Sequence, residues 1–80
     1  MERMEVMKKL QDIIREAVDN DEVVIEETTV ASDVQGWDSL TQVLIVGDVQ
    51  NEFGVKLTSS EVMGLANVGE LLDIIMKNIK

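Results

Sequence analysis

Residues 38–54 read Asp38-Ser39-Leu40-Thr41-Gln42-Val43-Leu44-Ile45-Val46-Gly47-Asp48-Val49-Gln50-Asn51-Glu52-Phe53-Gly54, a helix with both ends marked. Asp38 stands where an N-cap is wanted, because a short carboxylate accepts from the N–H groups that a helix start leaves free. Gly54 marks the other end, since glycine takes the left-handed conformation of a helix terminator at little cost. At about 100° per residue, Ile45, Val46, Val49 and Phe53 fall in one arc, with Val43 at its margin. Leu40, Leu44, Gly47 and Asn51 fall on the opposite face. The spacing predicts a helix over Ser39–Phe53 with a core side and a second, mixed apolar side.

The neighbouring segments are helical too. From Glu2 to Val18, the residues Met4, Met7, Leu10, Ile13, Ile14, Ala17 and Val18 recur at helical spacing, with Lys8, Lys9, Asp12, Arg15 and Glu16 outside. Asp19-Asn20-Asp21 ends that helix, because short polar side chains compete for backbone hydrogen bonds. Thr58-Ser59-Ser60-Glu61 has the form of a capping box and opens a short helix that Gly64 interrupts. Asn67 caps a final helix carrying Val68, Leu71, Leu72, Ile75 and Ile79 on one stripe. Lys77 and Lys80 lie near its end, where the helix dipole favours cations.

Residues 19–37 carry no helical period. Val23-Val24-Ile25 is a β-prone run with no partner, so it is not a strand. Val23, Ile25, Val30 and Val34 instead drop single side chains onto the helices, as a long loop in a small domain requires. The expected fold is all-α: a small four-helix bundle, three longer helices plus one short helix, with a long loop between helices one and two. Residues 1–80 are expected to form one domain.

Composition narrows the function. The 80 residues hold 7 Lys+Arg against 16 Asp+Glu, a formal charge of −9. Phosphate affinity is built from clustered Lys and Arg, so no nucleic-acid partner is expected. With no His and no Cys, the chain lacks the soft metal ligands and the commonest general base near neutral pH. Neither a metal site nor an autonomous enzyme is expected. Charges interrupt the N-terminus, no apolar run approaches the roughly 20 residues of a membrane span, and there is no Cys, so a cytoplasmic protein is expected; a monomer is expected as well.

Gly36-Trp37-Asp38-Ser39-Leu40 is where chemistry has room. It places a serine hydroxyl in the first turn of a helix, where free N–H groups and the dipole favour an anion. Two readings stand on these residues alone. Asp38 is an ordinary cap and Ser39 an ordinary first-turn residue, which capping preference favours. Alternatively, Ser39 bears a phosphodiester, and Asp38 orients the hydroxyl or a metal ion during its formation.

Asp38-Ser39-Leu40 resembles the Asp-Ser-Leu signature of acyl carrier proteins. The resemblance spans nearly the whole chain: the amphipathic first helix, the loop with Val23, Ile25 and Val30, Glu52-Phe53-Gly54, the short third helix, and Val68 opening the last one. It implies that Ser39, flanked by Asp38 and Leu40, receives a covalent 4′-phosphopantetheine from coenzyme A. A separate phosphopantetheinyl transferase would supply the magnesium. The arm's thiol would then carry acyl groups as thioesters between acyl ligases, acyltransferases or synthases of fatty-acid, polyketide or specialised biosynthesis. The family also shelters cargo in an apolar crevice between helices two, three and four. Its candidate walls here are Val43, Val46, Leu65, Ala66 and Leu71, although a thin core claims the same residues.

In the family, partners dock on helix two, and the candidate partner surface is Leu40, Thr41, Leu44, Gly47 and Asp48, with Met63 beside it. Carriers of fatty-acid synthesis usually place acidic residues where Thr41 and Leu44 stand, and often an exposed Met where Gly47 stands. The sparse charge resembles specialised carriers, including D-alanine and other aminoacyl carriers. From a different class, a non-carrying helical adaptor would bind through Leu40, Leu44 and Met63. Trp37 reads as a plug of the loop against the core, in preference to a contact with the arm.

Overall fold

The computed structural model describes residues 2–79, apart from the side chains of Ser59 and Met63. Four helices follow one another: α1 (Arg3–Ala17), α2 (Ser39–Phe53), α3 (Ser59–Met63) and α4 (Val68–Asn78), with a 3₁₀ turn at Ala31–Asp33 in the loop before α2. No strand occurs among the described residues, so the expected all-α four-helix bundle with its long loop is what forms. α1 packs along both α2 and α4.

Local chemistry sets the helix ends. Asp38 Oδ1 accepts from the Thr41 N–H at 2.9 Å, and Asn67 Oδ1 from the Glu70 N–H at 2.9 Å. Thr58 and Glu61 form the reciprocal box at the start of α3, and Gly54 ends α2 at φ 65°. Lys80, expected at the end of the last helix, lies outside the described residues.

The core is built from Val6, Leu10 and Ile14 of α1, Ile45 and Val49 of α2, and Val68, Leu71, Leu72 and Ile75 of α4. Each fully buried Leu or Ile contributes about 1.5–3 kcal/mol, so this cluster dominates the stability. The α1 stripe differs from the expected one. Met4 is 82 % exposed, whereas Val6, left out of the expected stripe, is fully buried. Steps of four drift only about 40° around a helix, which keeps Val6, Leu10 and Ile14 together, while Met4 lies about 160° from Val6.

The long loop is fastened by polar side chains of α1. Arg15 Nε donates to the Val23 carbonyl at 2.6 Å, Gln11 Oε1 accepts from the Ile25 N–H at 3.0 Å, and Arg3 pairs with Glu27 at 2.6 Å. The segment therefore runs antiparallel to α1 without any β ladder. Ile25 and Val34 reach the core, Val23 sits at its edge, Val30 is half-buried, and Val24 faces solvent. Farther on, the Thr29 and Glu27 carbonyls accept from the N–H groups of Val68 and Gly69 at 2.7 and 2.8 Å. Those two donors belong to the first turn of α4, which has no partners for them within the helix. Gly69 is required at this junction, because a Cβ there would lie 2.8 Å from the Glu27 carbonyl oxygen.

Candidate functional site

Ser39 is the first residue of α2 and is exposed. The turn ahead of it is held from the helix itself. Gly36 adopts φ 92°, a left-handed conformation that suits glycine. The Thr41 hydroxyl donates to the Gly36 carbonyl at 2.7 Å, and the Trp37 indole N–H donates to Gln42 Oε1 at 2.6 Å. Asp38 is extended and closes the cap. The Thr41 N–H holds its carboxyl below the usual carboxylate range, so Asp38 is an ionised cap at neutral pH. Ser39 is thus displayed on a fixed turn.

Beside Ser39 opens a cleft of about 540 Å³. Its apolar wall is Val43, Val62, Leu65, Ala66, Val68 and Leu71, and Trp37, Asp38 and Ser39 line it too. Four of the five expected crevice residues, Val43, Leu65, Ala66 and Leu71, are therefore brought together with Ser39. Val46 is not among them. It is half-buried and lies about 4.5 Å farther along α2 than Val43, at 1.5 Å of rise per residue. Leu71 is also core at 1 % exposure, whereas Val43 is 67 % exposed and leaves the margin of the core arc. Trp37 packs against the core and lines the cleft as well.

On the outward face of α2, Leu40 is 73 % and Leu44 52 % exposed, and Asp48 is exposed too. Gly47 is half-buried, with open space where a Cβ would stand. Thr41 corrects the expected partner surface, because it is buried. It sits one turn ahead of Ile45 on the core stripe, and its hydroxyl tolerates burial because Gly36 satisfies it. The Met63 side chain lies outside the described residues. Thr41 and Gln42, the clamps of the Ser39 turn, do not stand out from helical spacing. Two signals point to them: the core stripe extended back by four residues, and an indole N–H that needs an acceptor when half-buried. No helix among the described residues is long and apolar enough to cross a membrane.

Residues 8–75 match the family model described as a phosphopantetheine attachment site. The chain is 34 % identical to the acyl carrier protein of Thermotoga maritima over 77 residues, 96 % of this chain and 95 % of the relative. It is similar to the solution structure of holo acyl carrier protein from Geobacter metallireducens, with a TM-score of 0.84 and 30 % identity over 91 % of this chain and 84 % of that one. The crystal structure of the Thermotoga maritima acyl carrier protein gives a TM-score of 0.83 at 26 % identity, covering 98 % and 91 % of the two chains. The site suits a covalent phosphodiester arm: an exposed hydroxyl at a helix N-terminus, which favours an anion, opens on an apolar cleft with room for a chain. The chain therefore belongs to the acyl carrier protein family, carriers that hold a covalent 4′-phosphopantetheine and are not themselves enzymes.

Proposed function

We propose that Ser39 is the attachment residue and that the arm it bears shuttles acyl thioesters between partner enzymes. The observation that carries this reading is the exposed Ser39 residue on its clamped turn, lining the apolar cleft. In the transfer, an Oγ–P bond forms and the pyrophosphate P–O bond of coenzyme A breaks. Adenosine 3′,5′-bisphosphate leaves, and the serine proton passes to a base of the transferase, which also brings the magnesium. The arm's thiol supplies the sulfur that a chain without cysteine lacks.

The cargo we infer is an acyl group with an apolar body. Val43, Leu65, Ala66 and Leu71 line the space beside Ser39, and the one charged side chain in that lining, Asp38, is already engaged as a cap. An aminoacyl ammonium finds no free carboxylate there. The partners are a phosphopantetheinyl transferase and the acyl ligases, acyltransferases or synthases of a specialised pathway. Leu44 presents apolar surface where a carrier of fatty-acid synthesis usually presents an acid. The working state is a cytoplasmic monomer of one domain.

The test is direct. Apo protein is incubated with coenzyme A, magnesium and a broad-specificity transferase. A mass gain of one phosphopantetheine, absent in Ser39→Ala, is the expected result. No gain under conditions that modify a control carrier sinks the reading.

A further inference from the structure

Two carboxamides stand in the wall of the cleft: Gln42 on α2, and Asn67 at the start of α4. Each has its oxygen fixed by a group that only donates. The Trp37 indole N–H lies 2.6 Å from Gln42 Oε1, and the Glu70 backbone N–H lies 2.9 Å from Asn67 Oδ1. Neither donor is able to accept in return, so the orientation of both amides is determined. Their NH₂ groups are the ends left over, and no described residue accepts a hydrogen bond from either. The rest of the wall is apolar apart from Asp38 and Ser39. The cleft therefore offers amide donors on two of its sides.

A phosphopantetheine arm is rich in acceptors, with phosphate oxygens at its root and two amide carbonyls along its length. We propose that Gln42 and Asn67 are positioning residues that hold the arm in the cleft by donating to these oxygens. Gln42 lies on the helix that bears Ser39, three residues on, and meets the part of the arm near its root. Asn67 lines the cleft from the start of α4 and meets the arm farther out. An arm held at both places lies along Leu65 and Leu71 between deliveries. This inference rests on Ser39 as the attachment residue.

The experiment uses ¹⁵N-labelled protein before and after conversion with coenzyme A, magnesium and transferase, with the mass gain on Ser39 checked in every sample. The side-chain NH₂ resonances of Gln42 and Asn67 are expected to shift on conversion. Those of Gln11 and Gln50, whose oxygens serve Ile25 and Leu57 elsewhere, are expected to stay. Gln42→Glu with Asn67→Asp keeps both accepting oxygens, and the α4 cap with them, but removes the donors. In that holo variant the nuclear Overhauser contacts from the arm to Leu65 and Leu71 are expected to be lost. Asn67→Ser, a neutral cap with no NH₂, is expected to weaken the same contacts without added charge. A modified wild type whose two resonances stay in place overturns the inference alone, as does a modified double variant that keeps the Leu65 and Leu71 contacts. A chain that gains no mass overturns the attachment reading and this one together.

Discussion

The Thr41 hydroxyl reaches back 2.7 Å to the carbonyl of Gly36, so the first buried side chain of α2 anchors the turn on which Ser39 is displayed. The hydroxyl is buried, yet it spends its hydrogen bond on a backbone group and leaves no polar atom stranded.

Thr41→Val keeps the shape and deletes that bond. A net loss of about 1 kcal/mol is expected, in line with a typical intramolecular hydrogen bond. Urea denaturation followed by Trp37 emission measures it. An unchanged midpoint means that the Gly36 carbonyl is as well served by water.

Two glycines should respond in opposite directions to the same substitution. Gly69→Ala places a Cβ 2.8 Å from the Glu27 carbonyl oxygen, a backbone atom that does not swing aside, and a loss of about 1–3 kcal/mol is expected. Gly47→Ala meets nothing within 4 Å and lies inside a helix, so a gain of about 1 kcal/mol is expected. Thermal melts of the two variants decide both.

Helix ends were readable from local pattern because caps are local. Asp38, Gly54, Thr58 with Glu61, and Asn67 each act within a few residues of the end they mark. The path of residues 23–27 was not readable. It depends on Arg15 with Val23, Gln11 with Ile25 and Arg3 with Glu27, pairs 8, 14 and 24 residues apart that no periodicity links. The motif at Ser39 stood out, and so did most of its cleft. Thr41 was misplaced on the surface because a hydroxyl counts as polar in any hydropathy pattern until its acceptor is known.

Acid should loosen the fastening between α1 and the loop. Arg3 bridges Glu27 at 2.6 Å and Asp73 at 2.7 Å, and its guanidinium holds the Glu27 carboxyl below its ordinary value near 4.5. A carboxyl depressed in the folded state adds stability above its unfolded value and loses it as pH falls through the folded one. Arg3→Met is therefore expected to melt below wild type at pH 7, with the gap closing as pH falls below 4.5 and through the depressed Glu27 value. A gap that does not change with pH would show that Glu27 titrates alike in the folded and unfolded chain.

Leu44→Glu is expected to leave the fold within about 0.5 kcal/mol of wild type, because the side chain is 52 % exposed and away from the core. The same variant is expected to raise the KM of a cognate ligase or acyltransferase several-fold. Unchanged partner kinetics would remove Leu44 from the docking surface.

The polar fastening of the loop also sets how the molecule opens. Ile25, Val68 and Gly69 each give their amide proton to a specific acceptor from another segment, namely Gln11, Thr29 and Glu27. Hydrogen exchange at Ile25 is then governed by the loop leaving α1, and exchange at Val68 and Gly69 by α4 leaving the loop. α3 is only five residues long and is held at its start by the Thr58–Glu61 box, so its amides exchange through a cheaper, independent opening. Val68 and Leu71 line the cleft from α4 and Val62 from α3, which places the give on the α3 side of the cleft.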